Sequence, residues 1–214
     1  MKATNKLVGS LVCAAAFALA ANQVSAVNLI QNPGFETGDF TSWLVLGATG
    51  TVQTPDNGPT AAGTHNAFLD NEAEAANLAL KQTTASGSVG AGVLVSYSFD
   101  LKSGVSANGG VLFVHIFDQN SADVVLGEPT GLIGPLFPPS GSWQTYTGSF
   151  TTLVNTDHLT IEIDATTGAA SGSEEQMHVD NVQLNVAAVP EPTTLTLVGV
   201  GLLGALMVRR NRKA

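Results

Sequence analysis

Short segments of alternating apolar and polar residues constrain the fold of this chain most. From Val93 to Lys102 an apolar side chain stands at every second position, and residues 159–164 and 181–186 repeat the pattern. A period of two places the apolar side chains on one face of a β-strand. Residues 111–117 are apolar almost throughout, which predicts a central strand covered on both faces.

Turn-forming residues between these segments predict how the strands are connected. Gly, Asn, Asp, Ser and Thr fill the gaps, and many short strands joined by turns favour an all-β, antiparallel β-sandwich. Residues 72–80 have helical propensity and are expected to form one or two turns, followed by a strand over residues 78–83. Residues 131–142 are predicted to be a turn-rich loop. A body of roughly 160 residues can bury a core without disulfide bonds.

The N-terminus has the features of a secretory signal peptide. Lys2 and Lys6 precede an apolar stretch over residues 7–20, and residues 24–26 (Val-Ser-Ala) fit a cleavage site. We therefore predict a signal helix over residues 1–26. The single cysteine, Cys13, lies inside it, so the mature chain is expected to contain no disulfide.

The C-terminus has three parts: a short polar motif, an apolar run and a basic tail. We predict a single transmembrane helix from the apolar run over residues 193–208. The helix must include neighbouring residues, because a spanning helix needs about 17–25 residues. Positive charge is retained on the cytoplasmic side, so the body is expected on the opposite side of the membrane. The motif is Pro190, Glu191 and Pro192, and the basic tail is Arg209, Arg210, Arg212 and Lys213.

This arrangement over residues 189–214 resembles the PEP-CTERM sorting signal of Gram-negative bacteria. The resemblance implies that an exosortase, a membrane transpeptidase-like enzyme, recognises the Pro-Glu-Pro motif and that this chain is its substrate. It also implies export through the inner membrane, transient anchoring, and a final place at the cell surface or in an extracellular biofilm matrix. A permanent membrane anchor without an exosortase is the alternative for the tail.

The charge of the body excludes nucleic acid as a partner. Only Lys81 and Lys102 lie within residues 27–189, against sixteen acidic residues, which gives this segment a net charge of −14. Phosphate backbones are normally bound by clustered Lys and Arg. An excess of acids keeps an exported protein soluble and also attracts divalent cations.

Residues 28–187 resemble the galactose-binding-like jelly rolls that include several families of carbohydrate-binding modules. The opening stretch, residues 28–43 (Asn-Leu-Ile-Gln-Asn-Pro-Gly-Phe-Glu-Thr-Gly-Asp-Phe-Thr-Ser-Trp), and the closing stretch, residues 179–184 (Val-Asp-Asn-Val-Gln-Leu), carry the resemblance. It implies a two-sheet jelly roll over residues 27–188, between the signal peptide and the sorting signal.

The resemblance further implies a structural calcium ion, for which Glu36 and Asp180 are the predicted ligands. Asp180 shares strand parity with Val182 and Leu184, so its carboxylate is expected to point toward the core. A buried carboxylate is costly unless it is paired or bound to a metal, and calcium prefers oxygen ligands. In the alternative, both carboxylates accept hydrogen bonds from loop amides and hold no metal.

Trp43 and Trp143 are the candidate platforms for a sugar ring, with core or edge packing as the alternative for each. Tyr97 and Tyr146 share parity with apolar residues and are expected in the core. His115, inside an apolar strand, is expected to be a hydrogen-bonded core residue.

The body lacks the short motifs typical of catalytic sites, including a nucleophile elbow, a zinc-protease helix and a phosphate loop. Glu174 and Glu175 follow a Gly/Ser stretch and are expected in a solvated loop. We therefore predict a non-catalytic surface or matrix protein with a sandwich suited to carbohydrate. The alternatives are a dedicated exopolysaccharide-binding module and a glycan-active hydrolase.

Overall fold

The computed structural model describes residues 26–47, 50–53 and 63–187, and within them the chain forms β-strands joined by turns. The predicted signal helix, transmembrane helix, sorting motif and basic tail lie outside these residues. None of the described segments forms a helix long and apolar enough to cross a membrane. The strands are β1 Val27–Asn28, β2 Leu44–Leu46, β3 Gly50–Gln53, β4 Asn66–Asn71, β5 Asn77–Thr83, β6 Leu94–Asn108, β7 Gly110–Gln119, β8 Val125–Gly127, β9 Ile133–Leu136, β10 Gln144–Thr151, β11 His158–Thr167 and β12 Glu174–Val186.

The strands form two six-stranded antiparallel sheets. Sheet A has the order β10-β6-β12-β4-β3, and β1 pairs with β12. Sheet B has the order β2-β5-β11-β7-β8, and β9 pairs with β7. Apart from β3–β4 and β7–β8, neighbours in these orders are not consecutive in sequence, as in a jelly roll rather than a simple meander. The predicted all-β, antiparallel sandwich is confirmed.

The apolar residues of the alternating segments form one core. In β6, Val95, Phe99 and Leu101 have no exposed surface, and Ile161 and Ile163 of β11 are equally buried. Period-two alternation aims these side chains at the opposite sheet and their neighbours at solvent. Tyr97 and Tyr146 are half-buried and pack against this core, in line with their expected place.

Three local predictions are wrong. Residues 72–76 form a turn rather than helical turns, although the expected strand follows at Asn77–Thr83. The loop over residues 131–142 contains β9, which pairs with β7. Glu174 and Glu175 begin β12, and Glu175 is buried, because pairing with β6 and β4 extends the strand into the Gly/Ser stretch.

The central strand β7 is covered on one face only. Leu112, Val114 and Ile116 are fully buried, whereas Phe113 and Phe117 on the other face are half-buried. The prediction of cover on both faces is therefore wrong. The outer face of sheet B has no second layer of strands among the described residues, so it remains partly open to solvent.

A β-bulge in β12 changes which way Asp180 points. Register with β6 shifts between Asp180 and Gln183, and Asn181 adopts a positive φ of 51°. Met177 and Val179 therefore face the core on one side of the bulge, and Val182 and Leu184 face it on the other. Asp180 is fully buried but lies directly opposite Asp100, on the outer face of sheet A, and not in the core as parity predicted.

Candidate functional site

A stripe of aromatic side chains runs along the outer face of β7. Phe113, His115 and Phe117 occupy alternate positions, so all three project from the same face. The rings of His115 and Phe117 stack, with centroids 5.4 Å apart and planes 7° from parallel. Their intervening neighbours anchor the strand in the core, and this holds the stripe rigidly on the sheet.

Two carboxylates bind the imidazole at the centre of the stripe. His115 Nδ1 lies 2.6 Å from Glu128 Oε1, and His115 Nε2 lies 3.5 Å from Asp164 Oδ2. The side chains of His115 and Glu128 are 27% and 24% exposed, and that of Asp164 is 3% exposed. Glu128 follows β8 and reaches back over β7, whereas Asp164 comes from β11, the neighbouring strand.

The environment of Asp164 alters its acidity. Burial raises the pKa of Asp164 above its usual value, and the neighbouring Glu162 raises it further. A hydrogen bond from Asn77 Nδ2, 2.8 Å from Asp164 Oδ1, opposes this, as do the charges of His115 and Lys81. The carboxyl group is thus held in one orientation at the floor of the open face.

Polar side chains continue the site across β5 and β11. Lys81 Nζ lies 3.1 Å from Glu162 Oε2, and both side chains are partly exposed. The hydroxyls of Thr83 and Thr160 lie 2.8 Å apart, and Thr166 donates to Asn77. We call this outer surface of sheet B the open face, defined by Phe113, His115, Phe117, Glu128, Glu162, Asp164, Lys81 and Asn77.

The chemistry of the open face suits a polyhydroxylated ligand. Aromatic rings offer large, rigid, apolar surfaces, and a small number of placed polar groups fix a ligand's orientation. Carboxylates accept strong, charge-assisted hydrogen bonds from hydroxyl groups, whereas lysine and asparagine donate them. The sequence signal for this stripe is the alternation of Phe113, His115 and Phe117 with aliphatic residues, a pattern that also fits a strand covered on both faces.

Trp43 is enclosed in the core. Its ring is 7% exposed, lies 5.5 Å from the ring of Phe35, and donates from Nε1 to the carbonyl of Asn32 at 3.1 Å. A ring enclosed in this way offers no face to a sugar, so the core-packing alternative describes Trp43.

Trp143 lies on the outer face of sheet A and is half-buried. Its ring packs edge-on against His178 at 6.1 Å, and Lys102 Nζ stands 5.0 Å from its centroid. His178 in turn packs against Phe68 at 4.7 Å. Trp143 and the aromatic stripe of β7 therefore lie on different sheets. The ligand-binding role of Trp143 stays a prediction.

Glu36 has hydrogen-bond partners on both carboxylate oxygens. Oε1 accepts from the backbone amides of Thr64 and His65, each at 2.9 Å, and Oε2 lies 3.1 Å from His65 Nδ1. Partial burial raises the pKa of Glu36, but these hydrogen bonds outweigh it, so the pKa lies below its usual value. These contacts are the loop hydrogen bonds that the alternative interpretation of Glu36 expects.

Asp180 approaches Glu36 across Gly34. A Cβ at Gly34 would lie 3.2 Å from Asp180 Oδ1 and 3.9 Å from Glu36 Oε1, so both predicted ligands border the same glycine. Asp180 Oδ1 also accepts from the backbone amide of Asn181 at 2.6 Å. As a calcium site the pair fits poorly, because the oxygens of Glu36 already face hydrogen-bond donors. Calcium binding itself stays a prediction.

Three further carboxylates meet on sheet A where β4 ends and β12 begins. Atoms of Asp70, Glu72 and Glu174 lie within 4.8 Å of one another, and Gln176 Nε2 donates to Asp70 and Glu174 at 3.2 Å each. Strand pairing brings them together from positions about a hundred residues apart, so sequence spacing gave no signal for this cluster. Surface acids of this kind are common without an ion.

Comparison with known families identifies the C-terminal segment. Residues 188–213 match the model of the PEP-CTERM protein-sorting motif. This chain carries a PEP-CTERM sorting motif. The motif implies an exported, membrane-anchored precursor that is processed for the cell surface. No curated protein matches the sequence significantly.

Solved structures similar to the sandwich include carbohydrate-binding modules. The CBM22-1 xylan-binding domain of Paenibacillus barcinonensis Xyn10C has a TM-score of 0.57 and 12% identity, covering 78% of this chain and 99% of that domain. A CBM22-1–GH10 xylanase of Clostridium thermocellum, crystallised with xylohexaose, has a TM-score of 0.53 and 15% identity, covering 77% of this chain and 30% of that one.

The enzymatically active domain of tailspike protein 4 from bacteriophage CBA120 is also similar. The TM-score is 0.60 at 14% identity, and the match covers 75% of this chain but only 21% of the tailspike chain. Identities this low show the fold alone. The chain therefore has the β-sandwich fold found in carbohydrate-binding modules.

Proposed function

We propose that this protein is a non-catalytic, exported carbohydrate-binding protein that holds a polysaccharide strand on the open face of sheet B. The observation that carries the proposal is the half-exposed aromatic stripe on β7, with Glu128 and Asp164 bound to its central imidazole. Flat rings beside oriented hydrogen-bonding groups are the combination that a sugar ring requires.

The charge of the body favours a neutral polysaccharide or an amino sugar. Glu128, Glu162 and Asp164 line the open face, and Lys81 is the basic residue beside them. An acidic polysaccharide would meet like charge over the whole domain, whose net charge is −14 between residues 27 and 189. A neutral chain would be free of this repulsion.

The sorting motif supports a role at the cell surface. We propose that an exosortase processes the chain at Pro190–Pro192 and that the released sandwich then binds exopolysaccharide in the surrounding matrix. The matched motif supports the export and processing part of this proposal. The fold shared with xylan-binding domains supports the binding part.

A binding screen tests the proposed site. The full chain in detergent is titrated against neutral, amino and acidic polysaccharides by affinity electrophoresis and calorimetry. We expect saturable binding to a neutral or amino polysaccharide and a loss of about tenfold or more in affinity in the double variant Phe113→Ala/Phe117→Ala.

Phe68→Ala is the matched control, because it removes a half-buried aromatic ring from the outer face of the other sheet. Its affinity should equal that of the wild type. Equal loss of affinity in both variants, or no binding by a folded wild-type chain to any polysaccharide, would contradict the proposal.

A further inference from the structure

The outer face of sheet A contains three charged side chains that are shielded from solvent. Asp100 and Asp180 have no exposed surface, and Lys102 is 7% exposed. Charged residues are almost never buried in this way unless they are paired. The three residues come from the two central strands, β6 and β12, and strand pairing brings them together.

The register puts the two carboxylates side by side. Asp100 and Asp180 are direct partners across β6 and β12, so both side chains leave the same face of the sheet. Like charges in directly opposite positions are destabilising, and burial strengthens the repulsion because the local dielectric is low. The fold therefore needs positive charge at this point.

Neutral donors satisfy some of the carboxylate oxygens. Thr145 Oγ1 donates to Asp100 Oδ1, Asn181 Nδ2 lies 3.5 Å from Asp100 Oδ2, and the Asn181 amide donates to Asp180. These hydrogen bonds orient the carboxylates, but they add no positive charge. Buried ions require a counter-ion or a metal as well as hydrogen bonds.

We propose that the Lys102 ammonium is the counter-ion of the Asp100–Asp180 pair and offsets one of its two negative charges, so that Asp180 needs no calcium ion. Lys102 lies two positions after Asp100 on the same face of β6 and opposite His178. Lys81, the other lysine between residues 27 and 189, is on sheet B and pairs there with Glu162.

The Trp143 ring holds this lysine in place. Lys102 Nζ stands 5.0 Å from the ring centroid, and a cation over an indole face is attracted by the ring's quadrupole. Trp143 thereby covers the ammonium on the solvent side. Packing on Lys102 and His178 gives the Trp143 ring a structural role that requires no ligand.

Thermal unfolding of the full chain in detergent tests the proposal. We expect the Tm of the wild-type chain to be the same in excess EDTA and in excess CaCl2, and calorimetric titration with CaCl2 to give no binding heat. Lys102→Met should lower the Tm by about 10 °C, because it leaves two buried carboxylates without their cation.

Lys81→Met is the matched control, because it removes the other lysine of the body from a partly exposed ion pair. Its Tm should change by no more than about 2 °C. If Lys102→Met proves too unstable to purify, the double variant Asp100→Asn/Lys102→Met should regain part of the lost stability by removing one unbalanced charge.

Two results would overturn the proposal. One is a fall in the Tm of the wild-type chain in EDTA that CaCl2 reverses. The other is a Tm for Lys102→Met no lower than that of Lys81→Met.

Discussion

The outer faces of the two sheets contain the same kinds of side chain but differ in how much water reaches them. On sheet A, Asp100, Asp180 and Lys102 are buried under Trp143 and the loop that contains Gly34. On sheet B, His115 and Glu128 are about one quarter exposed beside an aromatic stripe. A charged cluster that is covered serves folding, whereas one that is left open can serve binding.

Because of this difference, the face on which a residue lies should decide whether its substitution changes stability or glycan affinity. Changes to covered groups should alter the free energy of unfolding and leave glycan affinity unchanged in the folded protein. Changes on the open face should do the reverse, because solvent or ligand can replace a lost contact there.

The largest effect is expected from Trp43, the tryptophan that is enclosed. Trp43→Ala should lower the free energy of unfolding by about 3–5 kcal/mol, because it leaves a cavity beside Phe35 and removes the hydrogen bond to Asn32. Chemical denaturation measures the loss. Glycan affinity of the remaining folded fraction should equal that of the wild type, and a selective loss of affinity would make Trp43 a ligand residue after all.

Removing a buried acid from the outer face of sheet A should also destabilise the protein. Asp180→Ala removes a fully buried carboxylate and leaves the backbone amide of Asn181 without its acceptor, which should lower the free energy of unfolding by about 1–3 kcal/mol. Asp39→Ala is the control, because Asp39 is an exposed loop carboxylate. Equal denaturation midpoints for the two variants would show that the buried carboxylate of Asp180 does not stabilise the fold.

Glu175, on the core-facing side of β12, gives the stability of the fold a pH dependence. Burial raises the pKa of Glu175 to about 7, from 4.5 in a solvated chain. The folded state therefore keeps a proton that the unfolded state releases, so this stabilisation is complete below about pH 4.5 and is lost as the pH rises through about 7.

We expect the free energy of unfolding to fall by on the order of 2 kcal/mol between about pH 5 and pH 8, as measured by denaturant titration. Glu175→Gln should flatten this segment of the profile. A profile with the same slope in the variant would assign the pH dependence to another group.

The smallest effect on stability is expected from the open face. Phe117→Ala should change the free energy of unfolding by less than about 1.5 kcal/mol, because its ring is only half-buried. The same substitution should weaken glycan binding measurably, up to about tenfold. A large loss of stability with unchanged affinity would reverse the roles of the two faces.

Alternation in the sequence predicted the fold because apolar side chains at every second position of β6, β11 and β12 must share one face. The site was harder to predict. Because of the bulge at Asn181, Asp180 lies on the outer face of sheet A and not on the core face that parity predicts. The alternation of apolar residues does not reveal a bulge until the strand pairing is known. The pairing of β6 with β12, whose facing residues are more than seventy positions apart in sequence, puts Asp100 and Lys102 on the same face as Asp180.

The aromatic stripe illustrates a second limit. The segment that contains Phe113, His115 and Phe117 has the composition of a buried strand. These side chains are partly exposed only because no layer of strands covers the described part of sheet B. Local composition reports what a side chain prefers, whereas its actual exposure depends on the strands and loops that lie over it.

The histidines provide the most direct test of the account, because His115 is on the open face and His178 is on the outer face of sheet A. Imidazole NMR signals of the full chain would be followed during titration with the polysaccharide that binds most tightly. The account predicts saturable shifts for His115 with unchanged signals for His178. Shifts of His178 with an unchanged His115 signal would place the ligand on Trp143 and sheet A, and would contradict the assignment of the open face.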